Sequence, residues 1–189
     1  MKFQSDIDID LADRQQILSH IKHIAASIDH ASPHNTGIYV TEIPHDPVTG
    51  RATLDYKTAE QRGYVKLDLL NVHVYNQVAT EQELIELMNT APPWQKLRDK
   101  SFCEQLIHIG NHYDTMLRMP DPIQSVAELS MFLAVIRPSK RHLIGLPWNQ
   151  VNDTIWQKPT EGYYFKKSHS VAYAHLVVVH MNLLNRLSN

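Results

Sequence analysis

The sequence predicts an α+β fold, on three observations. Strictly alternating segments crowd the first third of the chain, helical periodicity with capping signals dominates the rest, and no repeat, low-complexity tract or long linker separates them. At 189 residues the chain is long enough for one domain with a real core and short for two, so a single compact unit is expected. Its natural division falls at about residue 71, between a small β-containing part (1–71) and a helical part (72–189).

Ser5-Asp-Ile-Asp-Ile-Asp-Leu11 alternates acid and aliphatic residues, the period of a strand that places Asp6, Asp8 and Asp10 on one face. From Leu11 the spacing of Ile17, Leu18, Ile21, Ile24, Ala25 and Ile28 predicts an amphipathic helix to about Asp29. Gly37–Ile43 and Arg51–Tyr56 read as two strands joined through His45-Asp-Pro-Val-Thr-Gly50 into a hairpin. Val65–Leu70 alternates again, so Lys66 and Asp68 point together while Val65, Leu67 and Leu69 face the other way. Thr80-Glu-Gln-Glu83 has the form of a capping box opening a helix through Met88, which Pro92-Pro93 ends. Further helices are predicted near 99–109, 124–136, 149–156 and 169–187.

Composition narrows the function classes. With 18 Lys+Arg against 20 Asp+Glu, the overall field does not pull the chain onto DNA or an acidic membrane, so nucleic-acid contact would need a local basic patch. The one cysteine, Cys103, cannot form an intramolecular disulfide, and the N-terminus lacks an apolar signal-peptide core, which points to a reducing cytoplasm. Ala174–Leu184 is the longest apolar stretch. It is interrupted by His175, His180 and Asn182 and is too short for a bilayer, so it reads as a buried helix and no membrane partner is expected.

Phosphoryl and nucleotidyl transfer need divalent cations held by hard oxygen ligands, and carboxylates on adjacent strands supply them. Asp6 and Asp8, with Asp68 on a second strand, suit that task; the plainer reading is a solvated edge strand whose charges block edge-to-edge pairing. Lys66, Arg137-Pro-Ser-Lys-Arg141 and Lys166-Lys-Ser-His169 could neutralise phosphate, the last just before a helix N-terminus; ordinary solvated loops are the alternative. Twelve histidines raise a rival metal site at His30/His34, His108/His112 or His20/His23, without a zincin glutamate and without the cysteines of structural zinc. No nucleophile elbow, Walker loop or dinucleotide fingerprint is present, and the six glycines are scattered.

Several segments resemble, in order, the bacterial C-family replicative DNA polymerases (the polymerase III alpha subunit). Ser5-Asp-Ile-Asp-Ile-Asp-Leu-Ala-Asp-Arg14 is similar to the palm motif whose first two aspartates bind the catalytic metals, here Asp6 and Asp8. His30-Ala-Ser-Pro-His-Asn-Thr-Gly-Ile-Tyr-Val40 resembles the following His-Ala-Ser strand. Gly63-Tyr-Val-Lys-Leu-Asp-Leu-Leu70 is similar to the strand bearing the third metal-binding aspartate, Asp68, beside Lys66. Glu128–Pro138 resembles the fingers segment ending in Arg-Pro-Gly, with Arg137 as the phosphate-approaching arginine and Ser139 in place of the glycine. Tyr164-Phe-Lys-Lys-Ser-His-Ser-Val-Ala-Tyr-Ala174 is similar to a fingers motif that assigns Lys167, Ser168 and His169 to the nucleotide.

The resemblance implies a small nucleotidyltransferase-like (polymerase beta-like) sheet carrying the aspartates, with a mostly helical, fingers-like part. It implies Mg²⁺-dependent nucleotidyl transfer with two ions on Asp6, Asp8 and Asp68 (Mn²⁺ as substitute), and phosphate neutralised by Lys66, Arg137, Lys167, Ser168 and His169. DNA and deoxynucleoside triphosphates are the implied ligands, with a replication protein as partner and a phage-borne gene suggested by the small size. The family's Gly-Ser phosphate motif, its Tyr-Gln-Glu-Gln segment, the thumb and the accessory domains have no counterpart here. A partner chain completing the site is one consequence; a non-catalytic nucleic-acid- or polymerase-binding regulator is the alternative, and hydrolysis of nucleic acid a third.

Overall fold

The computed structural model describes residues 6–29, 32–158 and 165–187, with Asp6 described by its backbone alone. His30 and Ala31, quoted above for the His-Ala-Ser strand, and Tyr164 of the last motif lie outside the described residues. The fold is α+β, and the chain divides into two compact units, Met1–Gln77 and Val78–Asn189.

The first unit is a mixed six-stranded sheet. Its strands are β1 (Asp6–Leu11), β2 (Ile24–Ser27), β3 (Pro33–Tyr39), β4 (His45–Asp46), β5 (Arg51–Asp55) and β6 (Lys66–Asn71), in the spatial order β1-β6-β3-β2-β5-β4. Pairing is parallel for β1 with β6 and for β2 with β5, and antiparallel for β6 with β3, β3 with β2 and β5 with β4. The acidic first strand is thus an edge, and β6 lies inside it.

Two sequence expectations for this unit need correction. The helix expected from Leu11 to Asp29 is only α1 (Arg14–His20), capped by the Asp13 carboxylate, which accepts from Gln15 N and Gln16 N at 2.8 and 3.2 Å. Ile24–Ser27 is an interior strand with Ile24, Ala26 and Ser27 buried. The expected hairpin also changes partners. β4, not Gly37–Ile43, pairs with β5 across the predicted turn, where Gly50 takes φ +66° and its N–H donates to Asp46 O at 2.8 Å. β3 pairs instead with β2 and β6, contacts remote in sequence that local periodicity does not encode.

One face of the sheet carries a core of Ile24, Ala26, Tyr39, Ile43, Ala52 and Ala59, with Leu54 and Tyr64 against it. Ala59 belongs to α2 (Tyr56–Gln61), whose start is set by Asp55: its carboxylate accepts from Lys57 N, Thr58 N and the Thr58 hydroxyl at 3.0, 3.0 and 2.6 Å. That cap brings Tyr56 over the sheet beside Lys66 and His34.

The second unit is helical: α3 (Glu81–Asn89), α4 (Lys100–Cys103), α5 (Tyr113–Leu117), α6 (Val126–Val135), α7 (Trp148–Ile155) and α8 (Lys167–Leu187), with 3₁₀ turns at Trp94–Arg98, Gly110–His112 and Pro138–Leu143. The Thr80 cap behaves as the sequence indicates: its hydroxyl accepts from Glu83 N at 3.1 Å, and Glu83 returns to Ala79 N at 2.8 Å. Ser125 and Glu128 repeat the device at α6. The helix expected near 99–109 is short, because α4 ends at Cys103 and His108 adopts φ +64°. α6 is apolar all round, with Leu129 to Val135 buried, so it forms the centre of the core and packs on α8. Buried Ser170 of α8 donates to Ser130 O at 2.5 Å, and buried Asn182 donates to Leu87 O and Thr90 O at 2.8 and 2.9 Å, closing the end of α3. Among the described residues no helix is long and apolar enough to cross a membrane.

Candidate functional site

Parallel pairing of β1 with β6 sets Asp6 opposite Lys66, Asp8 opposite Asp68 and Asp10 opposite Leu70. Register partners in parallel strands project to the same face, and strands lie about 4.8 Å apart, so Asp8 and Asp68 are neighbouring carboxylates on one face. Their surroundings differ: Asp8 is exposed and Asp68 is buried, at 7% exposure. Asp10, half-buried farther along β1, has its carboxyl pushed up by burial first and by the charge of Asp8 second.

Asp68 is held by Lys66 and Thr36, with the His34 ring beside it. The Lys66 ammonium, itself 7% exposed, contacts Oδ2; the Thr36 hydroxyl donates to Oδ1 at 2.8 Å; His34 Nδ1 stands 3.7 Å from Oδ1. His34 accepts at that same Nδ1 from Gly37 N at 2.9 Å and from Thr36 N at 3.3 Å, which fixes the neutral ring with its proton on Nε2. Burial first, then the Lys66 charge, holds the His34 imidazole below its ordinary value, against a smaller opposite pull from Asp68. Its ring meets Tyr56 edge-on at 5.4 Å, and Lys66 Nζ lies 5.9 Å from the Tyr56 centroid.

Gly37 makes this packing feasible. A Cβ there would stand 2.9 Å from Lys66 Cδ and 3.0 Å from both Ala26 Cβ and His34 Nδ1, so the bare backbone leaves the lane in which the lysine stem lies. Below it, the Tyr39 hydroxyl is buried without a hydrogen-bond partner, and its pKa is pushed up to about 12 by burial, then by Asp68, Asp55 and Glu60.

The residues present fit a divalent cation in chemistry: Asp8 and Asp68 offer hard oxygens side by side. The side chain of Asp6, the remaining expected ligand, lies outside the described residues, and among those described no three His, Cys, Asp or Glu groups are disposed to hold an ion. Lys66 supplies the positive charge that Asp68 requires.

The other expected residues belong to the helical unit. Arg137 follows α6, with Cζ 4.4 Å from the Phe165 ring centroid; Lys167 opens α8, with Nζ 5.6 Å from the Trp156 ring. Ser168 is exposed and His169 half-buried in the first turn of that helix. Arg137 and the start of α8, thirty residues apart in sequence, therefore meet through Phe165. Sequence reasoning took His34 as half of a histidine pair and as part of the His30–Val40 segment, and gave no role to Thr36, Tyr39 or Tyr56; the signal for them was Gly37, three residues after His34 in a strand. His108 and His112, read as a metal pair, have pKa values lowered by burial first and then by arginine charge, Arg137 for both and Arg141 also for His112.

No protein-family model, curated protein or solved structure matches this chain.

Proposed function

We propose that the protein is a Mg²⁺-dependent nucleotidyltransferase with a reduced C-family polymerase core, its sheet nucleotidyltransferase-like and its helical unit fingers-like. The observation that carries the reading is the register: Asp8 opposite Asp68 on parallel strands, in the motifs that resemble that family. Asp6, Asp8 and Asp68 would hold two divalent ions, which when bound supply Lewis-acid stabilisation of attacking and leaving oxygens. Lys66 sits beside Asp68 to neutralise phosphate charge, the Thr36 hydroxyl orients the Asp68 carboxylate, and Gly37 keeps the lysine stem in place. Arg137, Lys167, Ser168 and His169 receive the phosphates of a deoxynucleoside triphosphate; DNA and a replication protein are the proposed partners, in the cytoplasm.

The ion pair of Lys66 with Asp68 favours a second reading, in which the lysine replaces the metal and the protein is a non-catalytic nucleic-acid- or polymerase-binding regulator. Mg²⁺- or Mn²⁺-dependent incorporation of labelled deoxynucleotide on a primed template separates the two. Incorporation by the wild type, lost in Asp8→Asn and Asp68→Asn, supports the transferase; no incorporation, with a melting temperature raised by DNA but indifferent to metal and nucleotide, supports the regulator.

A further inference from the structure

A cavity opens in the helical unit, lined by none of the residues assigned above to phosphate or metal. Its volume is about 520 Å³, inside the range of about 300–1,000 Å³ typical of small-molecule sites. One wall is the 3₁₀ turn Trp94–Arg98; the other is the chain that runs from α5 toward α6. Leu97, Met116, Met119 and Ile123 supply its buried apolar surface as members of the helical core, and Trp94 packs against that core. Hydrogen bonds at main-chain atoms fix both walls. The Tyr113 hydroxyl donates to Arg98 O at 2.8 Å, the Trp148 indole N–H to Pro122 O at 3.3 Å, and Gln124 N to the Glu128 carboxylate at 2.7 Å. The cavity is therefore built into the fold before any ligand arrives.

Four polar side chains share this lining: Gln95 and Arg98 on the first wall, Asp121 and Gln124 on the second. All four are exposed, and among the described residues neither they nor the Trp94 indole N–H has a hydrogen-bond or ion-pair partner, so Arg98 and Asp121 do not pair with each other. Leu117, 54% exposed, and Pro122 also stay in water, so an occupant that fills the cavity removes apolar surface from solvent. The polar set decides what kind of occupant fits. A fatty carboxylate would meet Asp121 as well as Arg98 and would leave both amides unused. A planar heteroaromatic ring with donors and acceptors around its edge can engage all four, stack on an indole and meet methionine sulfur at its rim.

We propose that this cavity binds a nucleobase, guanine above the others. Trp94 supplies the stacking face, and Met116 and Met119 adapt to the outline of the ring. Arg98 donates to the O6 and N7 acceptors of guanine, the contact guanidinium groups make most often with a base. Asp121 accepts from the N–H groups on the opposite edge, and the Gln95 and Gln124 amides, each both donor and acceptor, complete the rim. The two edges of guanine lie apart, which suits an arginine and an aspartate on separate walls that do not pair with each other. Cytosine presents a donor where guanine presents O6, and loses the arginine contact. A free nucleoside and a base splayed out of a single strand offer the same ring. The site shares no residue with Asp8, Asp68 or Lys66 and stands independently of the transferase reading.

The test is calorimetric titration of the full chain with guanosine, which carries no phosphate for the basic positions, without divalent cations and alongside tryptophan fluorescence. Guanosine should quench the emission and bind at least about tenfold more tightly than cytidine. Trp94→Leu should lose about tenfold or more in affinity together with the quenching. Arg98→Gln and Asp121→Asn, at exposed positions that folding tolerates, should each lose about fivefold or more. The single-stranded pentamer d(TTGTT) separates the two sources of the ring. Affinity equal to that of guanosine marks a nucleoside site; affinity at least about tenfold higher, with the margin lost in Trp94→Leu, marks a single-strand site. Asp68→Asn should bind guanosine as the wild type does, so failure of the transferase reading at the sheet leaves this result standing. No binding of guanosine or pentamer by the wild type, cytidine bound as well as guanosine, affinity unchanged in all three cavity variants, or decanoate bound more tightly than guanosine would each overturn the proposal.

Discussion

Replacing Lys66 with methionine removes the cation from a buried carboxylate while keeping the stem that fills the lane over Gly37. Both side chains are about one-tenth exposed, at 9% and 10%, so solvent does little to screen the charge left on Asp68, and the Thr36 hydroxyl remains as its donor. Breaking a buried pair from one side costs about 3–5 kcal/mol, against about 0–1 kcal/mol for an exposed one. For a urea slope of about 2 kcal/mol/M, a loss of about 4 kcal/mol lowers the midpoint by about 2 M. Trp94, Trp148 and Trp156 all belong to the helical unit, so tryptophan fluorescence does not report on the sheet. The assay is hydrogen exchange of peptides covering 66–71, read against urea, together with far-UV circular dichroism. Lys66→Met with Asp68→Leu should recover most of the loss, since an apolar pair of similar volume replaces the ion pair. Mg²⁺ at about a hundredfold above its Kd should return about 2.7 kcal/mol to the Lys66→Met variant if the cation takes the lysine's place. A loss below about 1 kcal/mol for Lys66→Met alone would refute the reasoning, because the pair would then behave as a solvated one.

Other consequences follow from single contacts. Gly37→Ala should destabilise the sheet by about 1–3 kcal/mol, because its Cβ meets three side chains at 3.0 Å or less; chemical denaturation checks it. Asn182→Ala should cost about 2–3 kcal/mol by orphaning the carbonyls of Leu87 and Thr90, seen as faster amide exchange over α3. His108, His112 and His180 all have pKa values lowered in the folded chain, chiefly by burial. Folded values below the unfolded one mean that the unfolded chain binds more protons, so stability is full above pH ~6.5 and falls as pH drops below it. Thermal unfolding should therefore shift down between pH ~7 and pH ~5, and less so in His112→Asn.

Elements whose signal is local could be read from the chain. The alternation read over Ser5–Leu11 and Val65–Leu70 appears as strands Asp6–Leu11 and Lys66–Asn71, and the cap at Thr80 stands where capping chemistry places it. Ile24–Ser27 could not be read, because its spacing also satisfies a helical stripe, and only burial between β3 and β5 makes it a strand. The shared face of Lys66 and Asp68 was legible from strand period, but its burial was not: that depends on Asp55 capping α2 so that Tyr56 lies near Lys66. His108 and His112 were legible as a pair and not by charge, since Arg137 and Arg141 reach them only through tertiary packing.

In the proposed transferase, Asp8 and Asp68 share a divalent cation. Electron paramagnetic resonance of Mn²⁺ titrated into the full chain, with deoxynucleoside triphosphate present, tests it directly in wild type, Asp8→Asn, Asp68→Asn and Lys66→Met. Bound Mn²⁺ is expected in the wild type, with weaker binding in both aspartate variants and tighter binding once Lys66 no longer occupies the Asp68 carboxylate. Mn²⁺ binding equal in all four proteins, or absent from the wild type and from Lys66→Met alike, would contradict it.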